Sequence, residues 1–390
     1  MKINVVGDVL TMPYTLAKYL RKKNVDVTLF MDSSLIDESY SPSWEDEDLN
    51  EIGLPDWIKT KDVKIFQCFL RNEKGREFLK RLANCDLIHA LGESCIWASF
   101  TGKPYIFQSY GFDLDYMPFN KSSLKSRILA WLQRRGIKKA CEVLISPYQF
   151  DCLKKLGVSN NKYSFHSWGI DTNKYKKIDS CLGKEIRDKF NVDFVFFHPA
   201  RHEWGDPKKI DKGNDKLICA FSAFLNNTGR KAELVFIEKG NDVSKSKELI
   251  NRLGLENNIL WLKPMNKKSL IEYYSISDLV FDQFCAGSFG QIFLESMSIG
   301  VPTFIFLLED YEKYYEEFPP AINVFSIDDL VSEMIKLTDD AEYRIAIGNK
   351  SRAWMVKYHD WNVVTDKYIT LYKKILEMRK FSIKKQQKVV

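Results

Sequence analysis

The feature that most constrains the fold is a regular alternation of short apolar runs with amphipathic helical stretches. The chain opens with the apolar run Lys2–Val6, continues with a helical stretch at Met12–Arg21, and returns to an apolar run at Val25–Phe30. Apolar residues of the middle stretch fall on one helical face. Strands separated by helices in this way are typical of a parallel sheet, so we expect an α/β fold.

The alternation forms two series with an aperiodic stretch between them. The further predicted strands are Asp86–Ala90, Pro104–Gln108, Glu142–Ser146, Tyr163–His166, Phe194–Phe197, Leu234–Glu238, Ile259–Leu262, Leu279–Asp282, Thr303–Phe306 and Asn323–Phe325. The aperiodic stretch Ser167–Ile178 is rich in turn-forming residues and is a candidate hinge. Residues 31–62 break the rhythm, and we interpret them as an irregular insertion. Two consecutive doubly wound units are the simplest account of this order.

Length and composition agree with this organisation. At roughly 150 residues per domain, 390 residues predict two or three domains. The apolar fraction of 45% and the charged fraction of 28% are typical of a globular protein. The formal net charge of +6 is too small over this length for a protein that coats nucleic acid, so no nucleic-acid partner is expected.

Other features bear on location and metal binding. Asp8 lies where the apolar region of a signal peptide would continue, and no apolar run approaches the ~20 residues of a spanning helix. The eight cysteines are scattered without a C-x-x-C pair, as expected for reduced thiols in the cytoplasm. Pro199 opposes a helix that would align His198 with His202, so we expect neither a metal nor another cofactor.

Ligands of open α/β sheets bind beyond the carboxyl ends of the strands, so residues just after each predicted strand are the first site candidates. Arg201 follows the strand at Phe194–Phe197, and Lys212-Gly213 precedes a helix that starts near Asn214. Two cations beside a helix N-terminus attract phosphate charge and could cradle a diphosphate. A solvated basic loop is the alternative, and the local pattern does not decide between them.

A second candidate site precedes the helical pattern that ends before Pro302. Gly287 and Gly290 would let backbone amides approach phosphate oxygens. Glu295 lies more than one turn inside this helix, where a carboxylate can accept hydrogen bonds from vicinal ribose hydroxyls. Glycine and glutamate are common near helix starts, so this pattern alone does not specify a ligand.

Two further candidates belong to the first series. Gly7 follows the first strand, but Val9 and Met12 occupy later positions of the G-x-G-x-x-G fingerprint, which argues against a nicotinamide role. Asp113 follows the strand Pro104–Gln108 and could contact a sugar hydroxyl or form a turn. The local sequence favours the turn.

Taken in order, these stretches resemble the retaining GT-B glycosyltransferases of family 4, and the likeness runs over nearly the whole chain. The most specific part, SFGQIFLESMSIGVP at Ser288–Pro302, is similar to the F-G-x-x-x-x-E-[AS]-M-[AS]-x-G-x-P segment of that family. Other similar stretches are HPARHEW…KG at His198–Gly213, HSWGIDTNKY at His166–Tyr175 and KYHDWNVVTDKYITLYKKIL at Lys357–Leu376.

The resemblance implies a GT-B fold, in which two Rossmann-like doubly wound domains face each other across a cleft. The N-terminal, acceptor-binding domain would span residues 1–178, and the C-terminal domain at 179–361 would bind the nucleotide sugar. The last helix, at about 362–390, would return to the N-terminal domain.

The resemblance also implies site residues. Arg201 and Lys212 would hold the donor diphosphate and act in catalysis, with Asp113 as a further candidate catalytic residue. Glu295 would bind the ribose, and Pro264-Met265 would pair the base through main-chain atoms. The full set of predicted donor-binding residues is Gly7, Arg201, Lys212, Pro264, Met265, Asp282, Gly287, Ser288, Phe289, Gly290 and Glu295.

The sequence departs from the family pattern at two positions. Counting back eight residues from Glu295 gives Gly287, so the first glutamate of the family's pair, which contacts the donor sugar, is absent. Tyr110 replaces the histidine of the acceptor-side loop. We hypothesise that Asp282 and Gln283, at a strand end, compensate for the missing carboxylate.

In function, the resemblance implies a metal-independent, retaining hexosyltransferase. It would move a hexose-type sugar from a nucleotide-sugar donor to a hydroxyl of a glycan or lipid-linked saccharide, in bacterial surface polysaccharide or glycoconjugate synthesis. A GT-B nucleotide-sugar epimerase, which would need extra acid/base carboxylates, stays open as one alternative. The two departures also permit a catalytically weak nucleotide-sugar-binding protein.

The positive charge is concentrated at residues 121–139, which carry seven Lys and Arg and no acidic residue. Leu124, Ile128 and Trp131 are interleaved with them, a pattern typical of a basic helix at an anionic membrane surface. The tail Lys373–Lys388 adds positive charge, and a core-facing helix with a solvated basic side is the alternative. We expect a cytoplasmic protein, with peripheral attachment to the inner face of the cell membrane as a hypothesis.

Overall fold

The computed structural model describes residues 1–8, 11–35, 41–206 and 211–387. We call its two compact parts unit 1 (Met1–Ser167 and the C-terminal stretch from Trp361) and unit 2 (Trp168–Asp360). The division falls before the predicted boundary at 178 because the start of the predicted hinge is bonded within unit 2: the Ile170 amide donates to the His359 carbonyl at 2.8 Å. Residues 388–390 lie outside the described residues, and they include the ends of the predicted last helix and of the basic tail.

Each described unit has one parallel sheet, as the alternation predicted. Unit 1 contains β1 (Lys2–Val6), β2 (Asp26–Asp32), β3 (Ile58–Lys61), β4 (Leu87–Leu91), β5 (Tyr105–Gln108), β6 (Glu142–Ile145) and β7 (Tyr163–Phe165), in the order β3-β2-β1-β4-β5-β6-β7. Unit 2 contains β8 (Phe194–His198), β9 (Ala232–Ile237), β10 (Ile259–Leu262), β11 (Leu279–Phe281), β12 (Thr303–Ile305) and β13 (Ile322–Asn323), in the order β10-β9-β8-β11-β12-β13. The strand order reverses beside β1 and β8, as in doubly wound sheets.

Helices connect the strands and continue to the end of the described chain. They are α1 (Met12–Lys22), α2 (Pro42–Glu45), α3 (Leu49–Ile52), α4 (Ile65–Phe69), α5 (Glu73–Leu82), α6 (Cys95–Ala98), α7 (Phe112–Asp115), α8 (Leu124–Lys139), α9 (Phe150–Leu156), α10 (Ser180–Arg187), α11 (Asn214–Thr228), α12 (Val243–Arg252), α13 (Lys267–Ile276), α14 (Gln291–Ile299), α15 (Ile327–Asp339), α16 (Ala341–His359) and α17 (Trp361–Gln387).

The strands lie at the centre of each core. All residues of β4 are buried, as expected for a parallel strand covered on both faces. In unit 2, Phe196 of β8 packs against Phe221 and Phe224 of α11 and against Phe281 of β11. This packing fixes the strand ends that carry the candidate site residues.

The predicted irregular insertion at 31–62 is wrong in part, since it contains an edge strand. Ile58 of β3 is paired in parallel register with Leu29 of β2. Only Ile58 and Lys61 of the four residues are buried. The strand was not predicted because it is short and because one of its two buried positions holds a lysine. Part of the insertion, residues 36–40, lies outside the described residues.

The last helix, α17, belongs to unit 1. The Tyr372 hydroxyl lies 2.6 Å from His89 Nδ1 in β4, and the Tyr368 hydroxyl donates to Gln108 Oε1 in β5 at 2.8 Å. Trp361 stacks on Tyr19 of α1 with ring centroids 5.5 Å apart. Burial lowers the pKa of His89 to about 4, so this contact is formed by a neutral imidazole.

Candidate active site

The carboxyl ends of parallel strands lie at one edge of a sheet, and in unit 2 this edge is cationic. Arg201 follows β8, Lys239 follows β9 and Lys267 follows β10, while Lys212 lies on the loop before α11. Partial desolvation lowers the pKa of Lys239, and the charges of Arg201 and Lys267 lower it further. Lys239 and Lys267 were not predicted, although their positions after strands were a signal that could have found them.

The Lys212 loop is held by its own backbone. The Lys212 amide donates to the Glu203 carbonyl at 2.7 Å, and the Phe284 amide donates to the Lys212 carbonyl at 3.2 Å. Gly213 has a φ of 68° and starts α11. Burial lowers the pKa of Lys212, and the nearby Asp282 carboxylate opposes this shift. Arg201 is exposed, whereas Lys212 is half-buried.

A buried histidine stabilises this loop through hydrogen bonds. His198 Nδ1 lies 2.9 Å from the Phe281 carbonyl, which can only accept, so Nδ1 carries the proton. His198 Nε2 then accepts from Asn214 Nδ2 at 2.9 Å, and Asn214 Oδ1 accepts the Glu203 amide at 3.0 Å. Burial lowers the pKa of His198 to about 4. His198 is therefore a neutral structural residue. Among the described residues, no group of three or more His, Cys, Asp or Glu could hold a metal ion.

The predicted ribose ligand Glu295 is buried and held on both oxygens. Lys267 Nζ forms an ion pair with Oε1, and the Tyr274 hydroxyl donates to Oε2 at 3.0 Å. Burial raises the pKa of Tyr274, and the Glu295 charge raises it further, so the phenol stays a donor. Lys267 begins α13, directly after the predicted base-contacting stretch Pro264-Met265 and the cap residue Asn266. The ion pair between Lys267 and Glu295 thus links the predicted ribose ligand to the helix that follows the predicted base-contacting stretch.

Gln283 organises the loop between β11 and α14. Its Nε2 donates to the Ser288 carbonyl at 2.6 Å and the Phe306 carbonyl at 3.0 Å. Its Oε1 accepts the amides of Cys285 at 3.0 Å and Ala286 at 2.6 Å. Because the amide group is occupied by the loop backbone, Gln283 does not replace the missing carboxylate in this conformation.

Gly287, where the family pattern has its first glutamate, is required by the loop. Its φ is 66°, a region that favours glycine, and a Cβ there would lie 2.8 Å from Leu308 Cγ. The Leu308 amide also donates to the Gly287 carbonyl at 3.1 Å. The local backbone conformation therefore favours glycine where the family pattern has glutamate.

The next three residues lead into α14. Ser288 Oγ lies 3.0 Å from the Tyr311 hydroxyl, and Phe289 stacks on Phe293 with centroids 4.7 Å apart. Gly290 caps the helix and is exposed, and a Cβ added to it would have open space for 4 Å around it. Of the three, Gly290 leaves the most room for a ligand.

Asp282 lies at the end of β11 and is 2% exposed. Burial raises its pKa to about 6, while Lys212 and hydrogen bonds from the Phe293 and Gly290 amides act in the opposite direction. Its Oδ2 has no hydrogen-bond partner within the described part of the chain. The structure thus brings Arg201, Lys212 and Asp282 to one edge of unit 2.

The predicted residues Gly7 and Asp113 belong to unit 1. A Cβ on Gly7 would lie 2.8 Å from Leu91 Cβ, so the turn after β1 requires glycine. The next residue, Asp8, accepts from Lys61 Nζ at 2.5 Å. Lys61 is buried and also lies 3.4 Å from Asp32 Oδ2. Sequence reasoning missed Lys61, because it falls in the segment interpreted as an insertion.

Asp113 forms the turn that the local sequence favoured. Its Oδ1 accepts the Tyr110 amide at 2.9 Å, across Gly111 with a φ of 127°. Its Oδ2 is buried without a partner among the residues that the structure describes. Burial raises the pKa of Asp113 to about 7. A contact with a sugar hydroxyl stays a prediction.

Three solved structures show the class of fold. HepE of Anabaena, in complex with UDP, matches with a TM-score of 0.74 at 14% identity, over 96% of this chain and 100% of that chain. A glycosyltransferase from Rickettsia africae matches with a TM-score of 0.70 at 16% identity, over 96% and 98% of the two chains. WaaG, a glycosyltransferase involved in lipopolysaccharide biosynthesis, matches with a TM-score of 0.65 at 13% identity, over 95% and 99%. The chain has the two-domain GT-B fold.

The family comparison is more specific. Residues 209–354 match the family described as Glycosyl transferases group 1. This segment contains Lys212, Lys239 and Lys267 of the cationic edge of unit 2, together with Asp282 and Glu295. It supports a place for the chain among the group 1 glycosyl transferases. The comparison with curated proteins gave no match.

Proposed function

We propose that the chain is a retaining, metal-independent hexosyltransferase that uses a nucleotide-sugar donor and a hydroxyl acceptor on a glycan or lipid-linked saccharide. The observation that carries this proposal is the cationic edge of unit 2, where the charge of Arg201 lowers the pKa of both Lys212 and Lys239. Cations beside the first turns of α11 and α14 suit the charge of a diphosphate leaving group.

In the proposed reaction, the bond between the anomeric carbon and the diphosphate oxygen breaks, and the acceptor oxygen forms the new bond on the same face. Negative charge develops on the leaving diphosphate, and Lys212 and Arg201 stabilise it electrostatically. The departing phosphate oxygen accepts the proton of the acceptor hydroxyl. This route needs no protein nucleophile.

The relatives indicate which donors and acceptors to test first. HepE has been solved with UDP-glucose, which makes uridine diphosphate sugars the first candidates. The involvement of WaaG in lipopolysaccharide biosynthesis supports a role in bacterial surface glycan synthesis. On the acceptor side, Asp113 of unit 1 is the candidate hydrogen-bond partner of a sugar hydroxyl.

The test is a panel of nucleotide sugars, beginning with UDP-glucose, incubated with purified protein and candidate acceptors in the presence of EDTA. Release of nucleoside diphosphate with a glycosylated product of retained anomeric configuration is the expected result. An epimerised sugar nucleotide would favour the epimerase, and binding without turnover would favour a nucleotide-sugar-binding protein. Failure of every nucleotide sugar to bind would refute the assignment of the site.

We further propose that unit 1 attaches to anionic membranes through α8. Leu124 is 74% and Trp131 49% exposed on this helix, and Trp131 makes an edge contact with Phe69 at 6.4 Å. Lys125 and Arg127 are exposed on the same helix. Its other side is buried, so the helix also fits the alternative of a core-facing helix with a basic outer side. No described helix is long and apolar enough to cross a membrane.

Flotation with liposomes tests this attachment. We expect the protein to float with vesicles that contain anionic lipid and not with neutral vesicles, because the basic residues supply most of the attraction. The double variant Lys125→Glu, Arg127→Glu should lose flotation, whereas Lys336→Glu in unit 2 should keep it. Flotation that does not respond to anionic lipid would contradict the proposal.

A further inference from the structure

Asp282 is a buried carboxyl group whose hydrogen bonding is incomplete. It is 2% exposed, and its Oδ2 has no partner among the described residues. The amides of Gly290 and Phe293, at the start of α14, lower its pKa. A buried, ionised oxygen without a donor is costly, so this oxygen is suited to acquire a partner or a proton.

Charged groups face Asp282 from three elements. Lys212, on the loop before α11, favours its ionised form, whereas Glu295 of α14 disfavours it. The Asp282 charge in turn raises the pKa of Tyr274 of α13. Burial exceeds the effect of Lys212 and raises the pKa of Asp282 to about 6.

Two further groups lie close to Lys212. The guanidinium of Arg201 lowers the pKa of Lys212, and the buried His198 lies close enough to Lys212 for its own pKa to be lowered by that charge. Lys212 has no salt-bridge partner among the described residues. It is therefore the charge that a bound diphosphate would engage beside Asp282.

We propose that Asp282 takes up a proton when the nucleotide-sugar donor binds, and that the resulting carboxylic acid donates a hydrogen bond from Oδ2 to the bound donor. The proton comes from solvent, and no covalent bond to the donor forms. A diphosphate that engages Lys212 places negative charge beside Asp282, and nearby negative charge favours the neutral acid. The inference rests on the proposed function, since it requires the donor at the Lys212 loop.

Linkage between proton binding and donor binding sets the direction of the pH dependence. A group that binds its proton more tightly in the complex makes ligand binding stronger as the pH falls. Asp282 starts from a pKa of about 6 in the free protein. For a shift of about one pKa unit on binding, uptake is about 0.4 proton per donor at about pH 7, and affinity falls about fivefold from about pH 6 to about pH 8.

Titration calorimetry of the full chain with UDP-glucose measures this uptake, through the dependence of the binding heat on the ionisation enthalpy of the buffer. Each phosphate of UDP-glucose carries one ester and one anhydride bond and does not titrate near neutrality, whereas the terminal phosphate of UDP does. Asp282→Asn can still accept from the α14 amides but cannot titrate. Asp215→Asn, in the first turn of α11, makes the same charge change on a neighbouring element.

The expected result is proton uptake by the wild type and by Asp215→Asn, and none by Asp282→Asn. Uptake that persists in Asp282→Asn, or that disappears only in Asp215→Asn, would place the proton elsewhere and overturn the proposal. Binding with equal heats in all buffers would overturn proton uptake but leave the donor site standing. Absence of binding across the nucleotide-sugar panel would overturn both. If Asp282→Asn does not fold, the pH dependence of wild-type affinity tests the same proton uptake.

Discussion

The carboxyl edges of the two sheets differ in the charged residues that follow their strands, although both sheets are parallel and doubly wound. In unit 2, Arg201 and Lys239 follow adjacent strands. In unit 1, Asp8 follows β1, Asp32 ends β2 and Glu93 follows β4. The same fold position therefore offers cations for phosphate in one unit and carboxylates, which accept hydrogen bonds from hydroxyl groups, in the other.

The two edges also differ in how one lysine of each is paired. Lys61 of unit 1 lies between Asp8 and Asp32, with its Nζ 4.5 Å from the centre of the Trp97 ring. Lys212 of unit 2 has no such ion pair within the described residues. A cation whose charge is already matched stabilises the fold, whereas an unmatched one is suited to bind an anion. We therefore expect removal of Lys61 to affect stability and removal of Lys212 to affect activity.

The largest effect is expected for Lys212→Ala. Loss of a cation that stabilises the leaving diphosphate should reduce kcat by about 10²- to 10³-fold, comparable to the loss of one electrostatic contact in other transition states. Nucleoside diphosphate release measures this, and thermal unfolding checks that the fold is intact. Lys336→Ala, an exposed lysine on α15, should keep its activity. Near-normal turnover of Lys212→Ala would refute the assignment of the site.

Lys61→Met should cost about 3–5 kcal/mol of stability, because it leaves Asp8 and Asp32 without their buried partner. Urea unfolding measures the change. The matched control is Lys18→Met, which breaks a partly exposed pair with Asp46 and should cost about 1 kcal/mol or less. If Lys61→Met kept its stability and lost activity, the contrast between the two lysines would be false.

Much of the fold could be predicted because parallel strands buried on both faces have an apolar signature that helices interrupt. The strand β3 carried no such signature, since Lys61 occupies an inward position. Arg201 and Lys212 could be found from their place between a strand and a helix. Lys239 and Lys267 also follow strands, but the sequence does not show that tertiary packing brings one beside Arg201 and the other onto Glu295.

Gly287→Ala tests whether the departure at this loop position is a backbone requirement. A side chain at a φ of 66° beside Leu308 should cost about 2 kcal/mol, from strain and the contact of the new Cβ. Urea unfolding again gives the measurement. Gly290→Ala, in the same loop with negative φ and open space, should change stability by about 0.5 kcal/mol or less. Equal effects of the two substitutions would show that the loop adapts to a side chain at Gly287.

The smallest effect concerns Asp113, the carboxyl group of the acidic edge that burial keeps protonated. Its pKa is raised from 3.8 to about 7, so the folded protein keeps a proton that the unfolded chain releases. Its contribution to stability is therefore complete below the unfolded pKa and is lost as the pH rises through 7. Asp113→Asn keeps an oxygen that can accept the Tyr110 amide and has no charge to desolvate.

The stability of Asp113→Asn relative to the wild type should rise by about 1 kcal/mol between about pH 6 and about pH 7. Urea unfolding at the two pH values measures this difference. Asp151→Asn, an exposed carboxyl group in the same unit, should show no such change. A constant difference between Asp113→Asn and the wild type would mean that Asp113 is ionised in the folded protein. The acidic edge would then carry its full negative charge at neutral pH, and its contrast with the cationic edge of unit 2 would be sharper.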